Sequence, residues 1–299
     1  YVLREMELAN MAVNDETTEE FDEIFFKHVG FTLTNTARAF VMGLTGSFFI
    51  TKPTASSVSR YYQHLDRLSS AFALVADVTM LTLQSKLKFR EMLSARLGDC
   101  LSSLYLASMV LNHFENRNCP TEERPLVIWS LDHLLHEYQV AMLEALQNYP
   151  NKLIAAVLKL LVFPMGARFN APSDRHVKDI VKLMTTGSSA REELTRCVFK
   201  DDIPTNPLGH TNAVFMDSLA VEDLYQRMRA AVKAGEIPKV RGLELIKAAS
   251  KGGVLSKAET TQLRKFDEKL MSVINVDDFN PSELIRVSDP GSKANAAAT

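Results

Sequence analysis

Leu93-Ser-Ala-Arg-Leu97-Gly-Asp-Cys-Leu101-Ser-Ser-Leu104-Tyr-Leu-Ala107-Ser-Met-Val-Leu111-Asn-His-Phe114 decides the fold. Leu93, Leu97, Leu101, Leu104, Ala107, Leu111 and Phe114 recur at spacings of three and four. That spacing puts them on one side of an α-helix, whereas a strand would alternate with period two. Asn116, Asn118 and Pro120 end the helix. Upstream, Val58, Tyr61, Leu65, Leu68, Phe72, Val75, Thr79 and Leu83 repeat the pattern, with no proline between Pro53 and Pro120. Downstream of Thr121, Val127, Leu131, Leu134, Tyr138, Ala141, Ala145 and Tyr149 repeat it again. Three long stripes with short connections predict an all-α fold, an antiparallel helix bundle.

On the N-terminal side, Thr17 and Glu20 are spaced as a capping box, and their helix is expected to stop at Gly30. Thr32 or Thr34 would open the next helix, with Ala37, Phe40, Val41 and Leu44, ending near Gly46, and Pro53 closes that connection. Tyr1 to Ala9 already reads as helix, with Val2, Met6 (or Leu3) and Ala9 on one side and no capping residue before it. A helix opening in this way is expected at a domain boundary rather than a natural N-terminus.

Beyond Pro150, Leu153–Phe163 is almost wholly apolar and is followed by an irregular stretch to Asp174. Ser173 or Asp174 caps a short helix to about Met184, and Ser189 with Glu192 forms another box. Lys200–His210 reads as a linker, Ala213–Ala234 and Val240–Ala249 as helices, and Ser256 with Glu259 caps a last helix to Val273. The expected organisation is a bundle over 1–185, a connecting segment over 186–212, a smaller helical subdomain over 213–287 and a disordered tail over 288–299.

Charge and cysteine usage exclude several classes. The net charge is −2 and the pI about 6.4, so no global basic field draws the chain to nucleic acid. Cys100, Cys119 and Cys197 are odd in number and widely spaced, which reads as free thiols in a reducing compartment. The opening residues do not read as a signal peptide, and no apolar stretch reaches the ~20 residues of a spanning helix.

No residue pattern announces chemistry. His133, His136 and Glu137 lie on neighbouring turns, but not as HExxH, and there is no Glu-x-x-His of the di-iron kind; a polar helix face and no metal site are expected. Gly43-Leu-Thr-Gly46-Ser47 lacks the Lys-Ser/Thr of a phosphate loop and reads as a helix-ending turn. His64 with Asp66 and His113 with Glu115 are two apart and do not face each other on a helix. Arg60, Arg67, Lys86, Lys88, Arg90 and Arg96 are interspersed with Asp66, Asp77, Glu91 and Asp99 as on a solvated or ion-paired face. Leu153–Phe163 admits two readings: a buried helix completing the core, or an interfacial helix whose Lys152 and Lys159 reach lipid headgroups. Arg168 and Asp174 read as residues fixing a loop.

Eight segments carry a resemblance. They are Phe26–Phe31, Arg60–Ser69, Ser94–Asp99, Leu104–Ser108, Gln147–Asn151, Phe163–Gly166, Ala171–Asp174 and Ile274–Phe279. In this order they resemble the C-terminal region of the long acyl-CoA dehydrogenases of bacterial fatty-acid β-oxidation, over nearly the whole chain up to about Ile285. The resemblance implies a preceding core that binds FAD, removes the α-proton of a fatty acyl-CoA with a glutamate, delivers hydride to the flavin, releases trans-2-enoyl-CoA and passes electrons to an electron-transfer flavoprotein. The family base is expected shortly before Tyr1. No catalytic or cofactor-binding residue transfers to this chain, and Glu5 and Glu7, as open helix-start carboxylates, lack the setting of a base. Implied for the helical region are packing on the core, homo-oligomerisation, contact with the inner membrane through 153–163 in an otherwise cytoplasmic enzyme, or shaping of the acyl channel. The rival expectations are a helical scaffold with no enzyme attached and, more distantly, a di-iron bundle.

Overall fold

A computed structural model describes residues 1–11, 14–51 and 57–275, excluding the side chain of residue 3. Pro53, most of the Ile274–Phe279 segment and the 288–299 tail lie outside the described residues. Among these residues the chain is all helix, without strands, and divides into two compact units, 1–183 and 184 onward.

The first unit contains α1 (Val2–Ala9), α2 (Asp15–Thr45), α3 (Ser59–Leu83), α4 (Glu91–Asn116), α5 (Arg124–Gln147), α6 (Lys152–Val162) and α7 (Asp174–Met184). Side-chain bonds fix the directions. Arg38 meets Asp66 and Thr32 meets Asp77, so α2 and α3 run antiparallel. Arg96 meets Glu144 and the Cys100 thiol donates to the Tyr138 carbonyl, so α4 and α5 do too. Three tyrosine hydroxyls connect α3 to α5 in parallel register: Tyr61 to Asp132 at 2.7 Å, Tyr138 to the Leu68 carbonyl at 2.8 Å, and Tyr149 with Thr82 at 2.5 Å. The core between them holds Leu68, Ala71, Leu74, Leu135, Met142, Leu158 and Val162.

The stripes are inside, with shifts. In α4, Leu93, Ala107, Leu111 and Phe114 are buried, but Leu101 is 54% exposed and Cys100 takes its place. Two successive steps of four residues turn a side chain about 80° off the seam, whereas 93, 97, 100, 104, 107, 111, 114 stays on it. By length and composition Ser59–Phe89 would pass for a membrane-crossing helix, contrary to the sequence reading; Leu68, Ala71, Leu74 and Val75 are instead packed in this bundle.

Gly30 stops nothing. One helix, α2, runs through it to Gly46, which takes the left-handed conformation (φ 60°). A single glycine costs a helix about 1 kcal/mol, and packing on both sides of it offsets that. The cap is Asn14, not Thr17: Asn14 accepts from the Thr17 amide and Thr17 returns a bond to the Asn14 amide. In α1 the buried residue is Leu8, while Met6 and Ala9 are exposed and Val2 is half-buried.

The second unit contains α8 (Ser189–Leu194), α9 (Pro207–Ala234), α10 (Gly242–Lys251) and α11 (Lys257–Ile274). Ser188, one residue before the expected position, caps α8, and α9 begins at Pro207 within the stretch read as linker, because proline is favoured at a helix start. The Ser256–Glu259 box is present as read. His210–Ser272, Asp217–Lys269 and Arg227–Glu259 pair α9 antiparallel with α11 around Val221, Met228, Leu263 and Phe266.

Two glycines of α2 separate packing from propensity. A Cβ on Gly43 would stand 2.8 Å from both Cδ and Cγ of Pro164, whereas one on Gly30 meets nothing within 4 Å. Gly43→Ala is expected to destabilise by about 1–3 kcal/mol, and Gly30→Ala to stabilise by up to about 1 kcal/mol. Urea midpoints of the two variants shifting in the same direction would contradict this packing.

Candidate functional site

Buried polar groups of the first unit include Glu123, paired with Arg117 at 2.7 Å near the start of α5, and two larger clusters. The first is where the C-terminal ends of α2 and α6 meet α3. Arg60 donates to the Gly46 carbonyl and to Gln63 Oε1, and its guanidinium lies over the Phe48 ring at 4.1 Å. Two helical turns on, Arg67 is 3% exposed and donates to the Val162 carbonyl at 3.2 Å. Each arginine thus places its cation at the negative end of a helix. The sequence reading put both on a solvated face. Their spacing with Gln63, Ser70, Ala71 and Leu74, all buried or half-buried on α3, is the signal that contradicts it.

The irregular stretch crosses this junction. Gln139 holds it: its Oε1 accepts from the amides of Arg168 (2.7 Å) and Phe169 (3.0 Å), and its Nε2 donates to the Phe169 carbonyl at 2.8 Å. His136 Nδ1 lies 2.9 Å from the same carbonyl. The loop is therefore fixed by a side chain of α5, while the Arg168 side chain is exposed and Asp174 opens α7. The Phe169 ring packs edge-on against His64 at 5.1 Å. Burial, then Arg60 and Arg67, push the His64 imidazole down to about 4, and burial lowers Arg67.

The second place is His28, 6% exposed on α2. Its Nδ1 lies 2.8 Å from Glu5 Oε1 of α1 and its Nε2 3.7 Å from Asp77 Oδ2 of α3, with Tyr1 stacked on the ring at 5.6 Å. Glu5 is accordingly not the open carboxylate read from the sequence; its side chain is 17% exposed. Thr32 donates to Asp77 at 3.0 Å, so its hydroxyl faces the acid and not the imidazole. A nucleophile–base–acid relay needs the hydroxyl on the imidazole. The group ties three helices together.

The remaining candidates separate. His133 stacks on Trp129 at 5.2 Å and is 4.0 Å from Glu137, while His136 turns to Phe169. Among the described residues no group of three or more His, Cys, Asp or Glu is placed to hold a metal. Asp66 pairs with Arg38 and not with His64; Glu115 bonds Tyr62, not His113; Glu7 pairs with Arg4. Arg96 pairs with Glu144, and Lys88 lies over Phe89. Gly43–Ser47 is the turn that ends α2. The three cysteines are free; Cys100 is buried, which pushes its thiol up to about 12. In α6, Ala155, Leu158 and Val162 are buried, as the core reading expects, while Leu153 and Leu160 on its other side are exposed.

A groove of about 620 Å³ lies between α3 and α4, lined by Ile50, Tyr62, Leu65, Phe72, Leu104 and Tyr105 among others. Among the described residues its charged lining residue is Asp66. Residues 1–279 match the family model for the acyl-CoA dehydrogenase C-terminal region, bacterial type. The chain belongs to this family. No solved structure matches it.

Acyl-CoA dehydrogenases use FAD, whose diphosphate needs cations or clustered N–H donors. The groove offers a carboxylate instead, so its residues do not fit the cofactor. Three of the eight segments lie at these clusters: Phe26–Phe31 contains His28, Arg60–Ser69 contains Arg60, His64 and Arg67, and Phe163–Gly166 begins the loop.

The depressed His64 dictates a pH dependence. The folded state holds the neutral ring, so below the ordinary value of about 6.5 the unfolded chain binds the extra proton. Its stability contribution is full above that value and is lost as pH falls toward 4, by up to about 3 kcal/mol. His64→Gln is expected to flatten urea stability between pH 7 and pH 4; an unchanged slope would remove His64 as its source.

Proposed function

We propose that this chain is the C-terminal accessory region of an FAD-dependent fatty acyl-CoA dehydrogenase. The complete enzyme oxidises acyl-CoA to trans-2-enoyl-CoA, the first oxidation of fatty-acid β-oxidation, with electrons leaving to an electron-transfer flavoprotein. Flavin, substrate and the catalytic glutamate belong to a core that precedes Tyr1. The helical region packs on that core and helps subunits associate in a homo-oligomer. The family match over residues 1–279 carries this reading. It is supported by the engagement of Arg67 with a helix end, of Gln139 with the loop backbone and of His28 with the acids of two other helices, which leaves these polar side chains in structural roles.

A second role for the same enzyme is favoured by one surface. On α6, Leu153, Val157 and Leu160 are 75%, 49% and 60% exposed, beside exposed Lys152 and Lys159. An apolar face flanked by lysines suits the headgroup region of the inner membrane, from the cytoplasmic side.

The test compares this chain with the full-length protein. The 299-residue chain should purify colourless and helical. The full-length protein should be yellow and bleach when a long-chain acyl-CoA is added. A full-length protein without flavin would favour a helical scaffold instead. A yellow 299-residue chain would place the flavin among the helices described above. For the membrane role, Leu160→Glu in the full-length protein should abolish flotation with anionic vesicles while leaving bleaching intact.

A further inference from the structure

The residues of α2 are distributed against expectation. Those facing α3 and α6 are His28, Asn35, Ala39 and Gly43, all small or polar and all buried. The opposite side carries Phe26, Val29, Leu33, Ala37, Val41 and Leu44. The five large ones are 68%, 39%, 65%, 53% and 45% exposed in that order. Their steps of three and four place them on one line along the helix, about 27 Å long. That is the pattern of a helix-packing seam and not of scattered surface residues. The sequence reading gave this helix Ala37, Phe40, Val41 and Leu44; the structure leaves Ala37, Val41 and Leu44 exposed and Phe40 half-buried.

We propose that this outward stripe of α2 is the seat of the polypeptide preceding Tyr1, packed there helix against helix. The inference rests on the reading that a catalytic core precedes this chain. The point of entry selects this occupant. Tyr1 lies on α2 itself, its ring 5.6 Å from both His28 and Phe31, within a turn of Val29. Arg4 pairs with Glu20 at 2.6 Å and Glu5 with His28 at 2.8 Å, so α1 is held along the same helix. Chain preceding Tyr1 therefore starts about one helix diameter from the stripe, roughly 10 Å. A tether that short keeps the preceding segment at high effective concentration over the stripe.

The experiment uses the full-length protein with a photoreactive residue at one stripe position, Leu33→p-benzoylphenylalanine. The same residue at Phe89, 75% exposed outside the stripe, serves as reference. After irradiation, crosslinked peptides should join position 33 to sequence preceding Tyr1 of the same chain. Their yield should exceed the reference about tenfold, as a tethered contact exceeds a random encounter. Crosslinks into residues 184–299, crosslinks between two chains, or a yield equal to the reference would each overturn the proposal. A second variant, Leu33→Glu, asks the seam to bury a carboxylate. It should speed amide exchange along Phe26–Leu44 about tenfold without changing helicity; unchanged exchange would count against the seam. Full-length protein lacking flavin would defeat the functional reading whatever is crosslinked. A flavoprotein whose crosslinks run elsewhere would defeat this inference alone.

Discussion

The hydroxyl of Tyr138, sealed in the core, can donate only to the Leu68 carbonyl, and much of the first unit is set by that bond. An unpaired hydroxyl there would cost about 1–3 kcal/mol, so α5 has one acceptable rotation against α3. The neighbours of the two residues then fall into place. Gln139, next to Tyr138, is aimed at the backbone of Arg168 and Phe169. Arg67, next to Leu68, is aimed at the end of α6. The Tyr138 carbonyl receives the Cys100 thiol of α4. Four elements are thus registered on one turn of α5.

This arrangement explains why an irregular, proline-containing stretch can cross a helix junction. Buried loop backbone needs partners for its amides and carbonyls. Gln139 offers both an acceptor and donors from one rigid position, and His136 lies one turn earlier beside the same Phe169 carbonyl. The helix ends beneath have a parallel need. Their last carbonyls lack intrahelical partners, and Arg60 and Arg67 supply donors together with a charge of the favourable sign. Basic residues read as a solvated or ion-paired face in the sequence are used in closing the fold.

The all-α class, the three long helices and their order were legible because apolar spacing survives without knowledge of contacts. Their phase was less so: a seam read as Leu93-Leu97-Leu101 and one read as Leu93-Leu97-Cys100 differ by a single step, and a free cysteine packs as a small apolar residue. Gly30 read as a stop because propensity is local, whereas the continuity of α2 depends on what packs along it. His28 could not be recognised as buried, and Arg67 only through its phase with Ser70, Ala71 and Leu74. Burial of charge depends on partners far away in sequence, Val162 for Arg67, Glu5 and Asp77 for His28. The candidate sites were therefore legible only as residue types, and the family resemblance carried the functional reading.

The inward face of α2 shows why its outward face matters. Gly43 lets the Pro164 ring approach to where a Cβ would sit, and Asn35 leaves its amide nitrogen without a hydrogen-bond partner. Close approach and a few polar contacts hold that face, with little apolar area removed from water. Fully burying one Phe or Leu is worth about 1.5–3 kcal/mol, so the larger hydrophobic contribution available to α2 lies in Phe26, Leu33, Val41 and Leu44, on its other side. A helix apolar towards solvent and close-packed behind fits the middle of a three-layer arrangement better than the edge of a two-layer one. Under the proposed packing against the preceding chain, covering that face would supply the apolar burial that the inward face of α2 lacks.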